Sequence, residues 1–485
     1  MPTRSKHIAL ALVLAAGLGG CTSVTPDKRF PEVQADALSR LGGRVEWRQG
    51  TAADELVDQR IAVMLAQPLS AEDAVQIALF NNASLKATFE DLGIAQAEVV
   101  TAGQLRNPDI AGFFRFPSSP PSGLNWNIGI DVWLLDAFLV PVRQRLASAS
   151  EDQTLRLVTQ QVVRLAAETR AAYFALQADS AAVRAQESLA EVARLALDLS
   201  RAQGSAGNAD DLRVAGDRSA SQQAALALLQ ARSAERASLE RLRALMGLTD
   251  RPVTWTLVRE ASGPTGGEPN EEELLALALS SRLDVKAADA EVQRQEYALE
   301  LTKKWWLSTV QVGVETEEST DGQNTIGPHF SAELPIFNQR QGEIARQEAV
   351  IRQAQRRRTA LQGQTRTEVR TALQRVSAAR EVVALYQGEI LPLRRATLAA
   401  VQDRYNSMFV GVFELLTTKS ELTTAETGFA RALQEYWTAR SDLELAIGTR
   451  LPEVPLAAPS EPIPASAPSP APVSPTRPHQ QHQPR

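Results

Sequence analysis

The stretch TVQVGVETEESTDGQNTIGPHFSAEL, residues 309–334, decides how this chain folds. Apolar residues alternate with polar or small ones on both sides of a turn-rich middle; the apolar ones are Val310, Val312, Val314, Ile326, Phe330 and Leu334. A period of two is typical of a half-buried β-strand with one apolar and one polar face. The stretch therefore predicts a hairpin. Pro328 removes a ladder donor and is interpreted as an irregularity near the start of the second strand.

An earlier part of the chain predicts a second hairpin of the same kind. Its apolar positions are Ile110, Phe114, Phe116, Trp126, Ile128, Ile130, Val132 and Leu134. Each of the four predicted strands has about 10 residues, the length that crosses a bilayer when tilted. In lipid two hairpins cannot satisfy their own edges, so the strands require partners that close a barrel. The alternative is an ordinary soluble sheet covered by helices.

Long helices surround both hairpins. From Val142 to about Gln203 there is no proline, and such a helix would be roughly 90 Å long. In the last predicted helix large residues recur every seventh position, and alanines occupy the complementary seam: Leu415, Leu422, Phe429, Tyr436 and Leu443, with Ala425, Ala432, Ala439 and Ala446. This pattern predicts close coiled-coil packing.

A weak internal repeat joins these features. Ala78-Leu79 in the first half returns as Ala278-Leu279 in the second, and each half runs in the same order of helices and strands. Each half is predicted as a short helix, a helix, two strands, a very long helix and another long helix. Sequence containing Pro and Gly, from Thr249 to Pro269, separates the halves.

Composition narrows the function classes. The chain has 485 residues and a net charge of −6, which argues against a nucleic-acid-binding protein with its basic face. There is no Gly-rich phosphate loop and no HExxH motif, and the four histidines are scattered. The sequence therefore predicts no catalytic site, no metal site and no cofactor, and it predicts that the protein is not an enzyme.

The single cysteine stands at the end of a secretory signal. Arg4 and Lys6 precede the apolar run from Ile8 to Leu18, which is too short and too early for a transmembrane helix. Leu18-Gly19-Gly20-Cys21 resembles a bacterial lipobox, which implies an acylated Cys21, palmitate included, and anchoring in lipid. The alternative is a non-lipidated secretory peptide.

Taken together, several stretches resemble the TolC-like family of outer-membrane efflux proteins over nearly the whole mature chain. They are Ala78-Leu79-Phe80-Asn81-Asn82, Arg282-Leu283-Asp284-Val285, Leu334-Pro335-Ile336-Phe337-Asn338 with its counterpart Leu134-Leu135-Asp136-Ala137-Phe138, and Arg404-Tyr405 leading to Glu414-Leu415-Leu416. The resemblance implies an α+β membrane protein, with a coiled-coil-like helical barrel and a transmembrane β-barrel. A homotrimer would supply twelve strands, four from each chain.

On this basis the chain is expected to begin with a lipoprotein signal peptide (1–20) and an N-terminal periplasmic segment (21–69). The first repeat is expected at 70–248 with strands at about 109–134, and the second at 271–450 with strands at about 308–334, with a linker at the tunnel waist (249–270) between them. Residues 451–485 are expected to form a disordered tail rich in Pro and Ala.

The resemblance also implies a tunnel tip that narrows the channel. Tyr405 matches a family tyrosine, and Glu414 stands where an acidic constriction residue is found. Asp211 is the first-repeat candidate paired with Glu414, from the parallel Asp211-Leu212 and Glu414-Leu415. A ring of such carboxylates would attract cations and repel anions, although Glu414 could equally be a solvated charge near a helix start. The chain departs from the family at Met408, where glycine is common, and at Val410.

The function expected is that of an outer-membrane channel in a tripartite efflux system, exporting drugs or metal ions together with a periplasmic adaptor and an inner-membrane pump. The protein would be anchored in outer-membrane lipid and extend into the periplasm. Two alternatives stay open, namely a duct for type I protein secretion and a structural coiled-coil lipoprotein without a pore.

Overall fold

A computed structural model describes residues 24–50, 52–249, 254–258, 263–264 and 270–451. The predicted signal peptide, the predicted lipidation site Cys21 and all but the first residue of the predicted disordered tail lie outside these residues. The predicted linker is described only in part.

The described chain consists of an N-terminal helical part and two repeats with the same order of elements. The N-terminal part contains α1 (Phe30–Leu41) and α2 (Ala52–Leu65). The first repeat contains α3 (Ala71–Asn81), α4 (Ala83–Ala102), β1 (Asp109–Arg115), β2 (Asn125–Val132), a 3-10 segment (Leu134–Leu139), α5 (Val140–Ser205) and α6 (Asp211–Leu245). The second contains α7 (Glu271–Ser281), α8 (Leu283–Lys303), a 3-10 segment (Trp305–Thr309), β3 (Gln311–Glu318), β4 (Asn324–Ser331), α9 (Gln341–Leu385), a π segment (Tyr386–Ile390), α10 (Leu391–Asn406) and α11 (Val412–Ile447).

The longest helix of each repeat has the same span. The predicted long helix is confirmed as α5, which has 66 residues and a length of about 100 Å. Its counterpart, α9 with the π segment and α10, has 45, 5 and 16 residues, which together equal α5. The π segment ends two residues before Pro392, which has no N–H to donate and crowds the preceding turn, so the helix continues through a local bulge.

The predicted heptad seam of the last helix is confirmed in α11. Leu422, Tyr436 and Leu443 are buried, and the alanines of the complementary seam, Ala425, Ala432, Ala439 and Ala446, are buried with them. The helix packs against α5 on one side and against α9 and α10 on the other. Small residues on one seam permit this close approach of the helices.

Short helices are stacked end to end with long ones beside α5. Asn82 caps the start of α4, and its side-chain Nδ2 donates to the carbonyl of Leu245 at the end of α6 over 2.9 Å. Asn81 Nδ2 donates to the carbonyl of Gly247 over 2.6 Å. These side chains satisfy carbonyl groups that a helix end leaves without partners, so α6 and α4 form one interrupted column.

In the second repeat an arginine side chain likewise donates to a carbonyl group at a helix end. Arg282 Nη1 donates to the carbonyl of Ala446 over 3.1 Å where α11 ends beside the start of α8. Arg40, from α1, donates to the carbonyls of Gly448 and Ser281 over 2.6 and 2.9 Å. The N-terminal part of the chain therefore fastens the second junction.

The four strands form one antiparallel sheet in the order β1-β2-β3-β4. Both predicted hairpins are present, and β2 joins them by pairing with β3 from Trp126–Glu318 to Val132–Val312. Within the described residues nothing pairs with the outer edge of β1 or β4. The sheet is therefore open on both sides.

The strands are shorter than the sequence predicts, with 7, 8, 8 and 8 residues. The apolar alternation continues to Leu134, but the backbone there has already turned into a 3-10 segment. The interpretation of Pro328 as an irregularity near a strand start is wrong. Pro328 lies inside β4 and faces Val314 in unbroken register, because an edge strand directs part of its N–H groups away from its neighbour.

Candidate functional site

The sheet is inverted relative to the sheet of a soluble protein. On one face the apolar side chains of all four strands are exposed, with Ile326 at 78% and Phe330 at 81%. On the other face Asn127 and Gly129, on either side of the exposed Ile128, are buried. A large contiguous apolar surface of this kind indicates contact with a partner or a membrane.

The polar face is organised by bonds between strands. Asn127 Nδ2 donates to Glu315 Oε2 over 3.0 Å, and Asn125 Nδ2 donates to Glu317 Oε1 over 3.4 Å. The two asparagines of β2 thereby fix two carboxylates of β3. In β2, β3 and β4 this face carries polar side chains and glycines, whereas β1 also places Ala111 and Phe113 on it.

Exposed aromatic residues continue the apolar face where the strands lead into the helices. Phe138, in the 3-10 segment after β2, and Phe337, after β4, are both exposed, as are Leu134 and Leu334. They occupy matching places in the two repeats. Aromatic residues at such a boundary are typical of a membrane–water interface.

At the far end of the helices each repeat makes one tight turn, 206–210 between α5 and α6 and 407–411 between α10 and α11. The two turns have the same hydrogen bonds. Gly207 N donates to the carbonyl of Gly204, and Met408 N donates to that of Tyr405, both over 2.9 Å. Gly207 and Met408 are both left-handed, with φ of 75° and 61°.

This geometry aligns the repeats differently from the sequence pairing. Since Gly207 corresponds to Met408, Asp211 at the start of α6 corresponds to Val412 at the start of α11. Glu414 therefore corresponds to Arg213 and not to Asp211. The pairing by similar dipeptides overlooked that Asp211 follows Gly207 by four residues, whereas Glu414 follows Met408 by six.

The three tip candidates lie at these turns, but the described contacts do not bring them together. Tyr405 is half-buried in the last turn of α10. Asp211 and Glu414 are exposed acids in the first turns of α6 and α11, where the helix dipole favours them. Their role as a constriction stays a prediction.

The two turns differ in polarity. The second turn and the start of α11 expose large apolar residues, with Met408 at 93% and Phe409 at 82%, followed by Phe413. The first turn carries Asn208 and Asp210, of which Asp210 caps α6 by accepting from Arg213 N. The starts of the following helices are alike, since Leu212 of α6 is exposed at 80% as Phe413 is, so the difference in polarity is confined to the turns themselves.

Sequence reasoning missed two polar features. Asp217 of α6 is buried, and its Oδ2 has no hydrogen-bond partner. His329 of β4 lies against Asp131 of β2, with 2.7 Å between Nε2 and Oδ1. The second feature could not be found locally, because the two residues meet across the intervening strand β3.

Neither membrane helices nor metal clusters occur in the part of the chain that the structure describes. No described helix combines the length and apolar character needed to cross a bilayer. No described group of three or more His, Cys, Asp and Glu side chains could hold a metal ion.

Comparison with known proteins gives the class to which this architecture belongs. Residues 274–449 match the model of the outer membrane efflux protein family. No curated protein sequence matches the chain.

Several solved outer-membrane proteins have the same fold, and two of the three described next are outer-membrane channels. CmeC of Campylobacter jejuni has a TM-score of 0.65 at 14% identity, over 78% of this chain and 85% of CmeC. VceC of Vibrio cholerae has a TM-score of 0.62 at 15% identity, over 78% and 96%. MtrE of Neisseria gonorrhoeae has a TM-score of 0.60 at 15% identity, over 79% and 90%.

The molecule thus has the fold of an outer-membrane channel, mostly helical with a four-stranded sheet. The resemblance to the TolC-like outer-membrane efflux proteins is confirmed, by the family model over most of the second repeat and by the fold over 78% of the chain. These relatives are channels rather than enzymes, as the sequence predicted for this chain.

Proposed function

We propose that this protein is the outer-membrane channel of a tripartite efflux system, which exports small toxic solutes, drugs or metal ions, from the periplasm to the exterior. In this proposal three chains close a twelve-stranded barrel in the membrane. Their helices form a tunnel in the periplasm, Cys21 carries the lipid anchor, and the tip meets an adaptor that links it to an inner-membrane pump.

The observation that supports this proposal most strongly is the inverted sheet. Its exposed apolar face carries residues such as Ile130 and Phe330, and its polar face carries Asn127 and Glu315. Transmembrane barrels alternate in this way, with apolar side chains towards lipid and polar ones towards the lumen. An open sheet is not viable in lipid, so the free edges of β1 and β4 require neighbouring copies of the chain.

The length and shape of the helices favour a tunnel over a plain spacer. Each repeat contributes a helix of about 100 Å beside an interrupted column of two shorter ones, so the helical wall is continuous along its length. A simple coiled-coil lipoprotein would not require a β-hairpin between these helices in each of the two repeats.

A pair of substitutions at neighbouring positions separates a membrane barrel from a soluble sheet. Ile326 and Thr325 are both exposed in the single chain, but they lie on opposite faces of β4. In a barrel Ile326→Arg places a charge in lipid, which costs about 2–4 kcal/mol near the bilayer centre, whereas Thr325→Arg points into the lumen. A soluble sheet would tolerate both.

The assay is growth of a strain that lacks the protein, exposed to metals, dyes, detergents and antibiotics. We expect selective sensitivity that the wild-type gene and Thr325→Arg reverse and that Ile326→Arg does not. Reversal by both variants would contradict membrane insertion. If no compound distinguishes the strains, the efflux role is contradicted. The next experiment would then compare polypeptide secretion between the deleted strain and the wild type.

A further inference from the structure

The polar face of the sheet contains one histidine, held against a carboxylate from two strands away. His329 Nε2 lies 2.7 Å from Asp131 Oδ1, a contact that is an ion pair only when the imidazole is protonated. Its other nitrogen, Nδ1, is buried without a hydrogen-bond partner. Both side chains belong to the end of the sheet nearest the helices.

Glycines in the adjacent strands provide the space for this contact. Gly313 lies between Asp131 and His329 in the register of the sheet. A Cβ at Gly313 would stand 2.3 Å from Asp131 Oδ1 and 2.6 Å from the imidazole carbon Cε1. Any other residue at 313 would therefore push the pair apart. Gly129 also lies below the ring, since a Cβ there would be 3.7 Å from the same carbon.

The groups that face the imidazole from the other strands are mostly acidic. On β2 it meets Asp131, and on β1 Asp109 stands opposite Asp131. On β3 the nearest charge on the same face is Glu315, which is bonded to Asn127, followed by Glu317.

The remaining charges nearby are occupied elsewhere. Arg115, at the other end of β1, lies over the ring of Phe113 at 4.0 Å. Asp136, in the 3-10 segment that contacts β3, pairs with Arg143 at 2.8 Å. The polar face of the sheet is therefore electronegative at the end that holds His329.

Histidine is the side chain that usually changes charge between about pH 5 and pH 8. The chain has four histidines, and the other three, His7, His479 and His482, lie outside the described residues. Within the described residues His329 is therefore the one histidine of the sheet.

We propose that His329 modulates the ion selectivity of the pore, by adding a positive charge to an otherwise acidic lumen when it is protonated. The inference rests on the proposed channel function, in which the polar face of the sheet lines the lumen. With His329 neutral, Asp109, Asp131, Glu315 and Glu317 favour cations. With His329 protonated, the charge of Asp131 is balanced, and the preference for cations falls.

The test is the reversal potential of purified channels in planar bilayers under a KCl gradient, from pH 5 to pH 8. We expect the ratio of potassium to chloride permeability to rise at least about threefold with pH, which is the effect of one unit charge about 7 Å from an ion in water. His329→Gln should keep the ratio high at every pH, and His329→Arg should keep it low.

The control is His479→Gln combined with His482→Gln, which should leave the pH response of the wild type unchanged. A response that persists in His329→Gln would overturn the proposal, as would a response lost in the tail variant. If the wild type conducts but both variants at 329 form no channels, the pair is a folding element and the proposal also fails. If the wild type conducts no current, the proposed channel function is what fails.

Discussion

Met408 occupies a left-handed backbone conformation, with φ of 61°, in the turn between α10 and α11. This conformation costs an L-residue other than glycine about 1–2 kcal/mol. Gly207 has the matching position of the first turn. Exposed Met408 therefore either contributes to a contact outside this chain or lowers the stability without compensation.

The matched substitutions at the two turns test this strain. Met408→Gly should raise the free energy of unfolding by up to about 1 kcal/mol, because relief of the strain exceeds the extra freedom of glycine in the unfolded chain. Gly207→Met should lower it by a similar amount, since the space around Gly207 is open and only the backbone is affected. Apparent melting temperatures in detergent would measure both, and shifts of the same sign would contradict the account.

Glu414 is expected to contribute to cation selectivity at the tip. Glu414→Ala should lower the ratio of potassium to chloride permeability of the reconstituted channel, because the first turn of α11 loses its acid. The control is Glu421→Gln, an exposed acid of the same helix paired with Arg394, which should leave the ratio unchanged. Equal ratios for the wild type and Glu414→Ala would remove Glu414 from the constriction.

Tyr173 gives the stability a defined dependence on alkaline pH. Burial raises the pKa of its hydroxyl to about 12 from a usual 10.0, and the hydroxyl donates to the carbonyl of Leu69 over 2.9 Å. The stabilisation that comes from keeping the Tyr173 hydroxyl protonated in the folded chain is complete below pH 10. It is lost as the pH rises towards 12, because the hydroxyl ionises at a lower pH in the unfolded chain than in the folded one.

Tyr173→Phe should therefore cost about 1 kcal/mol at pH 7, through the lost hydrogen bond. Between pH 10 and pH 12 the wild type should lose about 2 kcal/mol of stability relative to Tyr173→Phe, so that the gap closes and then reverses in favour of the variant. Urea denaturation at several pH values would measure it. A gap that does not change with pH would show that Tyr173 ionises equally well in the folded chain.

Among the elements, the junction of α11 with α8 depends on one buried guanidinium. Arg282 binds Asp284 with two bonds, of 3.0 and 2.6 Å, and also reaches Glu368 and the carbonyl of Ala446. Burial alone would lower the pKa of Arg282, but its bonds to the two carboxylates raise the pKa overall. The group is therefore charged in the folded chain.

Arg282→Met should cost about 3–5 kcal/mol, because it leaves the half-buried Asp284 without its partner. Arg370→Met is the control, since Arg370 pairs with Glu271 on the surface at 2.8 Å and an exposed pair contributes at most about 1 kcal/mol. Thermal unfolding in detergent would compare them. Similar losses in the two variants would contradict the role of the junction.

The elements themselves could be predicted from the sequence, because their signals are local. The alternation around Val312 and Trp126 located the strands, and the heptads from Leu415 located the seam of α11. The ends were less certain, since Leu134 keeps the apolar pattern after the backbone has left the sheet. The π segment before Pro392 was missed because proline alone does not tell a bulge from a break.

The candidate site could be predicted only in part. Tyr405 and Glu414 were proposed by resemblance and Asp211 by its similar dipeptide; all three lie at the turns, and their role in a constriction stays a prediction. The pair of His329 and Asp131 depends on strand order and register, with Gly313 of a third strand between them. Residues separated by almost the whole repeat length cannot be paired from local patterns.

At the scale of the whole molecule, the two repeats share their architecture but differ in the polarity of their turns. Both supply a hairpin and a helix of about 100 Å, but only the second presents an apolar turn, with Met408 and Phe409 exposed. A trimer would therefore present polar and apolar turns alternately at its tip. The exposed face of the sheet lies at the opposite end, so the molecule has two distinct surfaces to cover.

The most direct test of the central claim is the single-channel current of the purified protein in a planar bilayer. The account predicts discrete current steps of uniform size for the wild type and for Thr325→Arg, and none for Ile326→Arg. The account is contradicted if the wild-type protein is folded, as measured by circular dichroism, but adds no current above the detergent control. In that case the structural role of a coiled-coil lipoprotein without a pore would remain.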